Sequence, residues 1–232
     1  MTTVKEIYQE GLDLLSSNSF HYNDNTDRAY EEDLLDYSGF EYRTGASKVV
    51  LILDDCVLKT SFNGTVEFDE DGEEVFVENF PDYAKMEYDL YQTAKERGIE
   101  FFFAETTKVN DSIYEQPRVD ATISDVRCEE DTLPEDYFPS GQPPYRHIGN
   151  ADAVTDFCEK NGLHKLYFNI KFNAIKYFLG SYSIEELKKL NDFLTEYDIN
   201  DISATNCGWI DGRLVIFDFC GFDTSTGEIL SE

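Results

Sequence analysis

The chain has 232 residues, 41% of them apolar and 15% aromatic, enough to bury a proper core as one two-lobed domain or two small ones. Its formal charge of -29, from 48 acidic against 19 basic residues, excludes direct nucleic-acid binding as the expected activity. No apolar run approaches membrane-spanning length, and the start is too polar and acidic for a secretory signal, so no membrane association and a cytoplasmic location are expected. Five cysteines, at 56, 128, 158, 207 and 220, are odd in number and form no Cys-x-x-Cys pair. A reduced protein without structural zinc is the simplest expectation.

Residues 1–40 open with an amphipathic helical pattern, carrying Val4, Ile7, Tyr8, Leu12 and Leu15 at helical spacing. A polar stretch follows, then a second short helix over Glu31 to Tyr37. From residue 41 to 120 the pattern changes to short strands. Val49 to Leu53, Asp54-Asp55 and Cys56 to Thr60 read as a tight hairpin, with Val57 and Lys59 on one face and Cys56 and Leu58 on the other. A lysine in so apolar a strand needs an anionic partner, because burying an unpaired ammonium is costly. The segment from Glu67 to Glu74, flanked by Thr65-Val66 and Val75-Phe-Val77, reads as an extra hairpin with an acidic tip. A helix then starts near Pro81 and stops at Gly98, with Tyr83, Met86, Leu90, Tyr91 and Ala94 as its apolar stripe. Glu87 falls within that stripe and could supply the partner of Lys59, the alternative being an edge lysine that snorkels to water and a glutamate at the stripe margin.

Residues 121–149 hold four prolines and acidic clusters and read as an irregular insert. In the remaining segment, 150–232, Asn150 can cap a helix through Asn161, with Val154, Phe157 and Cys158 inward and Gly162 as its stop. Leu163 to Leu179 reads as a buried helix. Ser183 and Glu186 have capping-box spacing, and Leu187, Leu190, Phe193 and Leu194 form the stripe behind them. The chain then reaches Asp201, Asn206 and Asp218. Asp211-Gly212 between two apolar runs signals a two-residue type I′ turn. Counting outward from it pairs Ile210 with Arg213 and Asn206 with Phe217, so Asp218 leaves the hairpin where Asn206 enters. Directly paired residues lie roughly 5 Å apart, and magnesium favours a few such oxygens together with phosphate and water.

The combination of Lys59, Glu87, Asp201, Asn206 and Asp218 resembles the protein-kinase-like fold over roughly Tyr42 to Phe222. It resembles in particular the small phosphotransferase branch, with the aminoglycoside and choline kinases and compact kinase-like proteins of phages and gut bacteria. The resemblance implies an α+β fold of two lobes, an N-terminal antiparallel sheet with one helix and a small, mainly helical C-terminal lobe, binding ATP and Mg2+ between them. By it, Lys59 would hold the α and β phosphates, Glu87 would orient Lys59, and Val57 would cover one side of the adenine. The turn at Gly45 would lie over the phosphates. The hinge, Ile113 to Val119 with Glu115 at its centre, would contact the adenine edge through its backbone. Asp201 would be the catalytic-loop aspartate, and Asn206 and Asp218 the metal ligands of a γ-phosphoryl transfer to a small molecule or a partner protein.

Several features depart from that pattern. Only Thr44-Gly45-Ala46-Ser47 stands where a glycine-rich loop is usual, and Ser203 occupies a position where the family has a cation. Asp218-Phe219-Cys220-Gly221 interposes a residue before the glycine. The 14 residues after Asp218 are too few for an activation segment, so a regulated protein kinase of ordinary architecture is not expected. The charge is also uneven, with 34 of the 48 acidic residues before position 141. Clustered carboxylates can imitate a phosphate backbone, so the alternative reading is a non-catalytic kinase-fold scaffold whose acidic surface binds a basic nucleic-acid-binding protein. The sequence leaves the oligomeric state open.

Overall fold

A computed structural model describes residues 3–23, 26, 28–77, 80–121, 151–169, 177–179, 181–200, 202 and 206–220. The protein is of mixed α+β class, with helices, antiparallel sheets and one four-stranded sheet that includes a parallel strand pair. It divides into two compact units, Met1–Leu90 with Glu105–Arg118, and Tyr91–Ala104 with Val119–Glu232. The boundaries differ from the expected ones in two ways. The N-terminal helical segment belongs to the first unit, and residues 91–104 belong to the second. The expected insert at 121–149 lies outside the described residues from position 122 onward. No described helix is long and apolar enough to cross a membrane.

The first unit is built on a five-stranded antiparallel sheet of β3 (Glu41–Thr44), β4 (Lys48–Ile52), β5 (Cys56–Ser61), β8 (Thr107–Lys108) and β9 (Tyr114–Pro117), in the order β3-β4-β5-β9-β8. Register follows from the tight turn at Asp54-Asp55, where Leu53 N–H donates to the Cys56 carbonyl at 2.8 Å. Strand alternation then sends Val49, Leu51 and Leu58 to one face, where all are fully buried. Helix α1 (Val4–Ser17) covers that face. The helix lies close to the sheet at Gly11, where an added Cβ would be in van der Waals contact, 3.4 Å from Leu58 Cδ1. Helix α3 (Tyr83–Glu96) supplies Glu87 to the opposite face. Pro81 stands two residues before α3, outside its expected first turn, and Gly98 ends it with φ of +67°.

Four further strands, absent from the expected pattern except for the acidic hairpin, make a second sheet in this unit. β1 (His21–Asn23) and β2 (Arg28–Ala29) join β6 (Gly64–Phe68) and β7 (Glu74–Val77) in the order β2-β1-β6-β7. β6 and β7 form the expected hairpin, with Asp69 Oδ1 accepting from the Asp71 and Glu73 amides at 2.9 Å to close its turn. The short helix α2 (Glu32–Ser38) ends at Gly39.

The second unit contains α4 (Ala151–Asn161), α5 (His164–Asn169) and α6 (Ile184–Glu196), with α5 packed on both of the others, and the hairpin of β10 (Cys207–Ile210) and β11 (Arg213–Ile216). The Ser183 capping box is formed, and Leu187, Leu190, Phe193 and Leu194 are fully buried. The end of α3 and the residues after it belong here too. Arg97 makes two 2.7 Å contacts to the Glu196 carboxylate and lies over the Phe193 and Tyr197 rings. Phe103 packs on Phe193 and Phe219, with ring centroids 5.5 and 4.7 Å away. The buried helix expected over 163–179 is described only as α5 and at 177–179.

Candidate nucleotide and metal constellations

The candidate residues fall into two groups, one in each unit. In the first, Lys59 Nζ donates to Glu87 Oε1 at 2.7 Å, with the two residues 3% and 0% exposed. The expected lysine–glutamate pair is therefore present. The alternation that buries Leu58 against α1 necessarily turns Lys59 to the other face, and helical spacing points Glu87 back at it. A second lysine, not anticipated, shares the carboxylate: Lys48 Nζ donates to Glu87 Oε2 at 2.6 Å and is also 3% exposed. Lys48 pairs with Ser61 and Val50 with Lys59, which puts Lys48 on the same sheet face. The signal that could have found it is period-2 counting backward from Val50. Gln116 adds an amide donor to Glu87 Oε1 and another to Thr106 Oγ1 at 2.8 Å.

This packing gives one carboxylate at least three N–H donors in a site closed to water. Buried polar and charged groups persist when they are paired and hydrogen-bonded, and the shared carboxylate fixes Lys59 in one direction. Val57 lies on the same face, paired with Ile52 and Gln116, and is half-buried. Gly45 stands in the short turn between β3 and β4, its amide donating to the Lys48 carbonyl at 3.2 Å.

Glu115 requires a correction. It sits within β9, paired with Leu58 on one side and Thr107 on the other. Both neighbours of its backbone are strands, which leaves no free edge for an adenine base at that position. Its side chain points to the α1 face and accepts the Tyr8 hydroxyl at 2.5 Å. Burial, then the hydrogen bond to Glu115, holds the Tyr8 phenol well above its ordinary range. Burial, together with the charges of Glu115 and Asp55, pushes the neighbouring Cys56 thiol up to about 11. Glu115 is thus an anchor for α1.

In the second unit the hairpin has the expected register, Cys207 with Ile216, Gly208 with Val215, Trp209 with Leu214 and Ile210 with Arg213. Asp211 and Gly212 take φ of +50° and +75°, as a type I′ turn demands. One step beyond the ladder, Phe217 N–H donates to the Asn206 carbonyl at 2.9 Å. Asn206 and Phe217 are therefore neighbours at the hairpin base, and Asp218 is the next residue out. An amide and a carboxylate are oxygen-bearing residue types of the kind that a hard cation such as magnesium takes together with several waters.

The hairpin is fixed to the rest of its unit by backbone contacts that the sequence did not disclose. Trp209 and Asp120 exchange backbone hydrogen bonds at 2.8 and 3.0 Å, and Ala104 N–H donates to the Ile216 carbonyl at 2.8 Å. Gly208 makes the first contact possible, since a Cβ there would lie 2.8 Å from Val119 Cγ2 and 3.0 Å from the Asp120 carbonyl oxygen. Asp201 lies outside the described residues. The loop that feeds it is held by Lys165, whose Nζ donates to Asp198 at 2.8 Å and to Asn200 at 2.5 Å. Ile199 and Ile202 on either side are fully buried. No family model, curated protein or solved structure matches the chain, which leaves these two constellations to speak for its function.

Proposed function

We propose that this protein binds a magnesium nucleotide, with Lys59 as the cation for its phosphates, Glu87 as the group that orients Lys59, and Asn206 and Asp218 as the metal-holding oxygens. The observation that carries the reading is the buried Lys59–Glu87 contact of 2.7 Å on a five-stranded antiparallel sheet. A lone surface pair of this kind would mean little. A lysine buried and aimed by a helix carboxylate is a charge placed for use, and it is the placement that phosphoryl-transfer enzymes of the kinase type require. The closed hairpin base with Asn206 and Asp218 is the second support.

The reaction such a site serves is transfer of the γ-phosphoryl group to a hydroxyl of a small molecule or a partner side chain. In this reading Asp201 orients the acceptor hydroxyl, and bound magnesium would offset charge on the phosphates. Ser203 offers no cation at a position where kinases usually have one, so the proposal rests on nucleotide binding and not on transfer. Thermal denaturation tests it: ATP with magnesium should stabilise the wild type and leave Asp218→Ala unmoved. Absence of any shift at millimolar nucleotide would defeat the reading. A second reading, a scaffold that binds a basic protein through its acidic surface, draws support from the β6–β7 hairpin, whose residues Glu67 to Glu74 are all exposed. Its test is salt-sensitive recovery of basic nucleic-acid-binding proteins, and recovery indifferent to moderate salt would count against it.

A further inference from the structure

The four-stranded sheet of the first unit ends on an open strand. β7 pairs with β6 on one side, and among the described residues no strand pairs with its other side. In an antiparallel pair alternate residues turn their N–H and C=O away from the partner, so half of the β7 backbone groups point outward. Val75 and Phe76 are 41% and 48% exposed, and Phe68 on β6 is 52% exposed. The register, Phe68 with Glu74 and Val66 with Phe76, places Phe68 and Phe76 on one face and Val75 on the other. Edge strands are usually blunted by lysine, proline or a bulge. β7 is short and opens on the charged Glu74, but from Val75 to Val77 it carries no lysine, proline or bulge.

The edge is also held ready. Phe76 is braced from within its sheet by the His21 and Tyr30 rings, with centroids 4.8 and 5.4 Å away, and the Tyr30 hydroxyl donates to Glu74. A braced strand loses little freedom when another strand joins it. Charge decides which strand that is. From Thr60 to Ala84 the chain has eight acidic and no basic residues. Such a field opposes a second copy of this chain and draws in a basic segment.

We propose that β7 is a docking edge for an extended, basic segment of a partner protein, which adds to the sheet as a fifth strand. Its apolar side chains lie beside Phe76 and Val75, and its lysines or arginines lie toward Glu73 and Glu74 at the hairpin tip. The proposal is independent of the nucleotide reading. It also differs from charge imitation of nucleic acid, because it requires backbone hydrogen bonds and not only a field.

The test uses the full chain and a fluorescein-labelled ten-residue peptide, lysine-rich at one end and valine-rich at the other, followed by anisotropy. Saturable binding is expected, weakened about tenfold or more when alternate peptide nitrogens are methylated, since that removes edge donors while keeping charge and side chains. Val75→Lys, at an exposed position, should weaken binding similarly while leaving the circular dichroism spectrum unchanged. Equal binding of the methylated peptide, or no binding of either peptide, overturns the proposal. So does a concentration-dependent dimer of the chain alone that Val75→Lys abolishes, because the occupant would then be a second copy.

Discussion

Replacing Glu87 by glutamine isolates the group on which the first constellation depends. The carboxylate receives Lys48 at 2.6 Å and Lys59 at 2.7 Å, and all three residues are at most 3% exposed. At an effective dielectric near 20, each contact of this length carries about 6 kcal/mol of Coulomb attraction. Desolvation of the ions offsets much of it, and removing one partner of a buried pair typically costs about 3–5 kcal/mol. Glutamine is nearly isosteric but offers one acceptor oxygen, and its NH2 group would face an ammonium or the Gln116 amide. We therefore expect Glu87→Gln to lose about 3–5 kcal/mol in urea denaturation followed by circular dichroism at pH 7. Lys48→Met should cost less, because the Lys59–Glu87 contact remains. A loss below about 1 kcal/mol for Glu87→Gln would refute the reasoning, since an exposed pair behaves that way.

Gly208→Ala should destabilise the second unit by about 1–3 kcal/mol, because the new methyl group collides with Val119 and the Asp120 carbonyl; thermal denaturation reads it, and a neutral result would show that the hairpin has room there. Alkaline pH provides another check. Burial pushes the Cys207 thiol from 9.0 up to about 12, and burial followed by Tyr177 pushes the Tyr182 phenol from 10.0 up to about 12. Both groups are held neutral by the fold and ionise more readily once unfolded. Their contribution is present in full below pH 9 and is lost as pH rises toward 12. Urea midpoints should therefore fall steadily between pH 9 and 11, and Cys207→Ala should flatten the decline; a flat profile in the wild type would contradict the burial of these groups.

The parts legible in the sequence were those fixed by local chemistry. Asp211-Gly212 demands positive φ at two successive residues, and that alone set the register of β10 and β11 and the pairing of Asn206 with Phe217. Lys59 and Glu87 could be joined because a strand period and a helix period each gave a face. Lys48 escaped because it opens its strand, where a lysine ordinarily reads as solvent-facing. Glu115 was misplaced because Pro117 and Arg118 look like the end of a strand, while the pairing of Thr107 with Glu115 comes from a two-residue strand too short to leave a pattern. β1 was missed for the same reason: His21–Asn23 is polar and only three residues long, and its parallel pairing with β6 is a long-range contact. The roles of Gly208 and Lys165 rest on neighbours distant in sequence, Val119 with Asp120 for the first and Asp198 with Asn200 for the second.

The central claim is a site for a magnesium nucleotide, and calorimetric titration of the chain with ATP tests it most directly. Saturable binding that requires magnesium is expected, with affinity reduced at least about tenfold in Lys59→Met, the loss of one charge-assisted phosphate contact, and abolished in Asp218→Ala. Heat indistinguishable from dilution at millimolar nucleotide, or binding equal in all three proteins and indifferent to magnesium, would contradict it.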